Sequence, residues 1–313
     1  MLPDAIYENI GNTPRPLAER LATFFSEDVV VDADGKRLNG SIRQMEPRQR
    51  LLRDEITGET LPGSGDGEQV LYVEMVYPLT TKPATLSFKP PMRDGRYASA
   101  TIGMMVYHQN LPVMDFRYLS QKEILTLDWE DPWYSRFENK NLWRQYNEPI
   151  SVFLYAEPFE TRVEVIVRPK DIQQWADLGM VGLETIPVEK QPELKTKVAE
   201  FLKGELNLKL DGEPVTPELQ RVNFLKRTLK SSVVIDPPEE LDAISATLGV
   251  IFSAPTAALP KESSVTWNLF SQKMQVVRAA ATDEAGPLPY RIVPDDNVLV
   301  WKNFLKNPTL PGI

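Results

Sequence analysis

Six aromatic residues fall within 18 positions in the stretch WEDPWYSRFENKNLWRQY: Trp129, Trp133, Tyr134, Phe137, Trp143 and Tyr146. Half of the chain's six tryptophans are here, interleaved with Arg136, Arg144, Glu130, Asp131 and Glu138. Such a mixture supports three chemistries. Aromatic rings supply apolar area with a polar handle and can pack two domains together. Trp, Tyr and Arg also dominate the hot spots of protein interfaces. Finally, rings stack on sugars while carboxylates hydrogen-bond the hydroxyls. The residues that would carry a binding role are Trp129, Trp133, Tyr134, Arg136, Trp143 and Tyr146. A glycosidase needs two carboxyls about 5–10 Å apart across a cleft. Glu130 and Glu138 could supply the pair, but nothing in the sequence demands the cleft.

Other chemistry is poorly supplied. The chain has no Cys and one His. Thiol chemistry, disulfides and zinc sites of cysteine or several histidines are therefore excluded. His108, in MMVYHQNLPV, is the only base available to a Ser-His-Asp triad. No GxSxG elbow accompanies it, so it reads as a polar residue at a strand end. No GxxxxGK[ST] or GxGxxG phosphate cradle is present, and the Gly-rich GSGDGEQ at 63–69 reads as an acidic hairpin loop. Asp32-x-Asp34-Gly35 has the start of a calcium loop, but Lys36 and Arg37 follow where ligands should stand, so a hairpin turn is expected. Acidic residues at 128–138 and at Asp295-Asp296 read as solvated surface. Neither a metal nor a cofactor is expected.

Two basic clusters remain, Arg43, Arg48, Arg50 and Arg53 in the first half, and Arg221, Lys226, Arg227 and Lys230 in the second. They read as charged strand edges that discourage pairing rather than as an anion site. With 35 basic and 44 acidic residues the net charge is −9, which argues against nucleic acid as a partner. The N-terminal MLPDAIYENIG has no cationic segment followed by an apolar run and does not read as a signal peptide. Two uncharged stretches, 97–114 and 244–260, are too polar or too broken by Pro for a membrane span and read as buried strands.

The elements that must position these residues are organised as a repeat. LAERLATFFSEDVVVDADGKRL at 17–38 aligns without a gap on LKTKVAEFLKGELNLKLDGEPV at 194–215, an offset of 177. Leu17/Leu194, Ala22/Ala199, Phe24/Phe201, Asp34/Asp211 and Gly35/Gly212 are identical, and the remaining apolar positions keep their character. The offset holds onward through Pro78/Pro255 and Pro83/Pro260. Each copy opens on an amphipathic helix, with Leu17, Leu21, Phe24 and Phe25 on one stripe and Leu194, Val198, Phe201 and Leu202 on the other. Each then alternates into a strand that ends at Asp-Gly, a type I′ hairpin signal.

Further short strands are expected at 69–77, 84–89, 99–108, 112–118 and 123–128. In the second copy they are expected at 219–224, 246–253, 262–269, 273–280, 289–293 and 297–301. The 27 prolines and the short runs fit antiparallel sheets better than long helices. The fold class expected is mainly β: two tandem antiparallel β-sandwich domains, Ig-like in the loose sense, related by internal duplication, each with a short amphipathic helix. The boundaries expected are a first copy at 1–130, an aromatic-rich inter-domain segment at 131–149 and a second copy at 150–313. Copy two alone is preceded by an alternating hairpin, ISVFLYAEPFETRVEVIVRP at 150–169. Its counterpart would precede Met1, which suggests a trimmed or processed form of a longer exported protein.

The function expected is a non-catalytic interaction or structural module, the soluble ectodomain or a fragment of a larger exported assembly. A periplasmic or extracellular setting goes with it, the cytoplasm being the alternative. A protein partner or self-association is the first expectation. The alternative is a carbohydrate-binding or carbohydrate-active protein using the segment 128–146.

Overall fold

Alternation of apolar and polar residues builds strands through most of both halves, and the chain is mainly β with several antiparallel sheets. The computed structural model describes residues 17–49, 61, 69–93, 97–99, 102–144, 147–227 and 232–304. It divides into two units, Met1–Asn147 and Glu148–Ile313.

In the first unit helix α1 (Leu17–Thr23) runs on as a π turn over Phe24–Asp28, burying Leu21 and Phe24. Strands β1 (Val30–Ala33) and β2 (Lys36–Arg37) follow. Their two-residue turn, Asp34-Gly35, has φ of 48° and 75°, the positive values that glycine adopts without a Cβ clash. Strands β3 (Ser41–Gln49) and β4 (Gln69–Val76) form one antiparallel pair. After β5 (Thr85–Lys89), β6 (Met92–Arg93) and β7 (Tyr97–Ala98) make a short ladder. Strands β8 (Ile102–His108) and β9 (Leu111–Leu119) form a second pair, turning at Gln109-Asn110 with both φ positive. The last two, β10 (Glu123–Thr126) and β11 (Arg136–Phe137), complete a five-stranded sheet in the order β11-β10-β5-β1-β2.

The second unit opens on β12 (Ile150–Ala156) and β13 (Glu160–Val167), then α2 (Pro169–Ile172), β14 (Thr185–Ile186) and the long helix α3 (Gln191–Glu205). Strands β15 (Asn207–Leu210), β16 (Glu213–Val215), β17 (Glu218–Arg227), β18 (Ser232–Val234), β19 (Leu241–Asp242) and β20 (Leu248–Pro255) come next. The unit ends with β21 (Glu262–Thr266), β22 (Val277–Asp283), β23 (Gly286–Ile292) and β24 (Val298–Lys302). A seven-stranded sheet in the order β18-β17-β20-β13-β12-β22-β23 accompanies a four-stranded sheet, β16-β15-β21-β24. Only β12 and β22 pair in parallel within the large sheet. Strand β22 begins four residues later than expected, because Ser271 and Met274 exchange two backbone bonds and close a turn over Gln272-Lys273.

Pairing registers can be compared position by position. Val31 lies opposite Phe88 and Ala33 opposite Leu86; in the second unit Leu208 lies opposite Val265 and Leu210 opposite Ser263. All four spacings are 177. Asp34 donates its N–H to Thr85 O and accepts the Thr85 N–H on its carboxylate, at 3.0 and 2.8 Å. Asp211 makes the same two bonds to Glu262, at 2.8 and 2.9 Å. Strand β3 pairs β4 with a register shift between Ile42 and Gln44, and β17 pairs β20 with one between Leu219 and Arg221. Their flanking partners also differ by 177.

The cores differ. In the second unit one continuous cluster joins both sheets and α3. Among the described residues of the first unit two clusters form, Leu21 and Phe24 beside β3 and β4, and Val113, Met114, Leu125, Phe137 and Leu142 beside β9 and β10.

One buried ion pair fixes the way out of the β12–β13 hairpin. Arg168 is 1% exposed and donates from Nε and Nη2 to the Asp171 carboxylate at 2.6 and 3.1 Å, while Nη1 donates to Ile244 O at 3.0 Å. Breaking such a pair leaves a charge stranded in a low-dielectric site, and Asp171→Asn is expected to lower the unfolding free energy by about 3–5 kcal/mol. Replacing both partners by apolar residues, Arg168→Met with Asp171→Leu, should lose less. Urea denaturation followed by fluorescence decides between them.

Candidate functional site

The aromatic segment is built by a run of side-chain caps. Asp128 Oδ1 accepts the N–H groups of Glu130 and Asp131 at 3.1 and 2.8 Å. Asp131 in turn accepts the Trp133 N–H and opens a 3₁₀ turn over Pro132–Tyr134. Ser135 returns the chain to β11, where Phe137 pairs with Leu125 and is 1% exposed. Asn139 then caps a second 3₁₀ turn, Lys140–Leu142, and its side-chain amide donates to Glu123 Oε1 at 2.9 Å. Short polar residues that compete with regular backbone bonding are what keep this stretch out of helix and strand alike.

Most of the sequence-predicted site residues come together in the first unit. Trp129, Trp133, Tyr134 and Trp143 are part-buried and Arg136 is exposed. Tyr146 lies outside the described residues. The polar handles of two indoles are already used: Trp129 Nε1 donates to Pro83 O and Trp143 Nε1 to Phe137 O, each at 2.7 Å. Cations sit over the ring faces. Arg144 lies 4.1 Å from the Trp133 ring centre, Arg136 5.4 Å from that of Trp143, and Lys82 5.4 Å from that of Trp129. Arg144 is itself buried and donates to the carbonyls of Pro112 and Trp133 at 2.6 and 2.7 Å. Between Trp133, Tyr134, Arg136 and Trp143 is a cleft of about 50 Å³. Sites that enclose a small ligand hold about 300–1,000 Å³. The cleft takes a water or two, and a sugar ring would have to displace the cations to stack.

Sequence reasoning missed one polar pair. His108 Nδ1 lies 2.7 Å from Ser135 Oγ, and both residues are buried. Ser135 Oγ also accepts the Asp128 N–H at 2.9 Å, and the imidazole meets Trp129 edge to face at 4.5 Å. A nucleophile and a base at this distance have the spacing of a catalytic dyad. Here, however, Ser135 is 3% exposed and its oxygen accepts a backbone N–H, the setting of a structural bond. The pair ties the end of β8 to the aromatic segment. No sequence signal links residues 27 apart in this way; only the topology does.

The other candidates are also engaged in the fold. Asp32 accepts from Ser87 Oγ and Lys122 Nζ at 2.8 and 3.1 Å, and Asp34 from Thr85, so the start of the calcium-like motif is spent on cross-strand bonds. Among the described residues no group of three or more His, Cys, Asp or Glu is placed to hold a metal ion. In the basic clusters Arg43 pairs with Glu74 at 3.1 Å, while Arg48 pairs with Glu46 and lies over the Tyr72 ring. Arg50, Arg53 and Lys230 lie outside the described residues, as do residues 63–68 of the Gly-rich stretch. Among the described residues no helix is long and apolar enough to cross a membrane. No protein-family model matches this chain, and no curated protein sequence is significantly similar to it.

Burial holds the His108 pKa below its ordinary value; the Asp128 carboxylate opposes the shift and Lys82 adds to it. The unfolded chain therefore binds a proton more readily, and stability falls as pH drops below about 6.5 toward the folded-state value. Melting temperatures at pH 7.5 and 5.5 should fall further in the wild type than in His108→Gln. Equal falls would mean that the imidazole is not kept neutral.

Proposed function

We propose that the chain is a non-catalytic interaction module made by duplication of one β unit and serving as a structural or docking part of a larger exported assembly. The observation that carries this reading is the shared pairing register, including the bulge that recurs between Ile42 and Gln44 and between Leu219 and Arg221. Two copies of one sandwich-like unit, loosely Ig-like, with a helix at the head of each, account for that coincidence at a single spacing. Side chains that could do chemistry are committed to scaffolding in both copies: His108 with Ser135, Asp34 with Thr85, Arg168 with Asp171. A fold that spends its titratable groups on its own backbone suits recognition by surface and edge rather than turnover. The setting proposed is periplasmic or extracellular, with which a cysteine-free composition is compatible without requiring it.

The aromatic segment serves in this proposal as internal packing and not as a sugar platform. Trp143→Ala removes a part-buried ring and its bond to Phe137 O, and is expected to lower the unfolding free energy by about 2–3 kcal/mol. The same variant and the wild type should both leave a glycan array empty. A Trp143→Ala protein with an unchanged melting temperature and a lost glycan ligand would overturn the reading in favour of carbohydrate binding. The duplication is tested by an experimental structure, in which 17–89 must superpose on 194–266.

A further inference from the structure

The two halves treat the centre of the large sheet differently. In the second unit the hairpin β12–β13 lies between β20 and β22. Strand β13 pairs antiparallel to β20, with Val165 opposite Val250, and β12 pairs parallel to β22, with Leu154 opposite Ala281. Ile150, Val152, Leu154, Val163, Val165 and Val167 are all 0% exposed, and the core around them is continuous. The first unit has the two flanking pairs. Strands β3–β4 match β17–β20 at a spacing of 177, and β8–β9 corresponds in chain order to β22–β23, with His108 and Leu111 at a spacing of 175 from Asp283 and Gly286 and two register shifts that β22–β23 lacks. Among the described residues β4 pairs only with β3 and β8 only with β9.

Three further observations concern the inner edges of β4 and β8. Leu248, Val250 and Phe252 of β20 are 0% exposed, whereas their counterparts Leu71, Val73 and Met75 are only part-buried. Val277, Ala279 and Ala281 of β22 are buried, and Ile102, Met104 and Val106 of β8 are again part-buried. Among the described residues β8 packs through Met104 and Val106 on one cluster of the first unit's core, and β4 through Leu71 on the other. Proline, which cannot donate to a ladder, stands in β3 (Pro47) and β9 (Pro112) and in neither β4 nor β8, although β20 itself ends on Pro255.

We infer that β4 and β8 form a docking slot for a β-hairpin donated by a partner chain. This rests on the duplication proposed above. The partner hairpin has two strands of seven or eight residues, as β12 and β13 do, with alternate Val, Ile or Leu side chains facing inward. Its first strand runs parallel to β8 and its second antiparallel to β4. Backbone bonds to both edges supply affinity, and the half-covered apolar positions select the side chains. A second copy of this chain is a poor donor, because its own hairpin is buried and paired on both edges, and lending it would open the donor's core.

The probe is a synthetic peptide with the sequence of residues 148–169, added to the full chain and read by hydrogen–deuterium exchange. At saturating excess, amides at 69–76 and 102–108 should exchange about tenfold or more slowly, with 248–255 and 277–283 unchanged. A peptide carrying Leu154→Asp and Val165→Asp should protect neither strand. If the peptide self-associates, residues 148–190 joined directly ahead of Leu17 supply the same hairpin in cis, and the same strands must become protected. The inference is overturned if β4 and β8 are already as protected in the free chain as β20 and β22, since the chain then covers its own edges. Protection that rises with protein concentration alone overturns it too, in favour of a second copy. So does wild-type peptide that protects neither strand. Each of these leaves the duplication standing, because that is judged by superposition of 17–89 on 194–266 and not by exchange.

Discussion

A strand has two edges, and each buried edge must find a hydrogen-bonding partner. The second unit meets this demand with one hairpin. Strands β12 and β13 pair with β22 and β20 on their outer sides and with each other between, so backbone groups at the middle of the seven-stranded sheet are satisfied. The same alternation sends six fully buried side chains into the core. At about 1.5–3 kcal/mol for each buried aliphatic side chain, they contribute on the order of 10 kcal/mol before ordering is counted, comparable to the net stability of a whole domain. Under the proposed duplication the described residues of the first unit lack such a hairpin, and their buried side chains fall into separate groups.

The first unit has reinforcement that the second lacks. Its five-stranded sheet carries an added edge strand, β11, and the aromatic segment continues from it. Phe137 fills the core, and the Trp143 N–H closes back on Phe137 O. Arg144 ties the end of the segment to Pro112 in β9, and His108 with Ser135 ties β8 to its beginning. These contacts draw β8 and β9 onto the β10 side of the unit without help from β4. Large rings, buried donors and cation contacts hold this part of the first unit together. This accounts for a concentration of Trp, Tyr and Arg that resembles an interface in composition.

Local features were legible in the sequence because their causes are local. Asp34-Gly35 and Asp211-Gly212 both sit at positive φ, as Asp-Gly between strand-like runs requires. The stripe from Leu194 to Leu202 became α3, and the alternation at 150–169 became β12–β13. A break between strands was expected at Gln109-Asn110, but without glycine nothing signalled that both residues take positive φ. The remaining gaps concern partners far apart in the chain. Nothing in Ile150–Ala156 says that it pairs in parallel with Val277–Asp283, and nothing near His108 points to Ser135. In the aromatic segment composition was legible and role was not, because composition does not reveal that two indole N–H groups end on Pro83 and Phe137 carbonyls.

Proline shows where the two kinds of information meet. The sequence has 27 prolines, and composition alone says only that strands must be short. Once pairing is known, several of them lie on sheet edges, while Pro255 ends the internal strand β20. Pro214 lies in β16, at the edge of the four-stranded sheet, and Pro287 and Pro289 lie in β23, at the edge of the seven-stranded one. Pro47 and Pro112 lie in β3 and β9, each the outer member of its pair by comparison with the second unit. A residue that cannot donate to a ladder discourages pairing where it stands. Strands β20 and β22 have internal partners on the sides that face the hairpin, and under the proposed duplication β4 and β8 are their counterparts. If all four edges of the first unit's strand pairs were simply exposed, the same protection against unwanted pairing would be expected on each. Under the proposed duplication, Pro47 and Pro112 fall in the outer strands and β4 and β8 contain no proline, the distribution expected of a sheet completed at its centre.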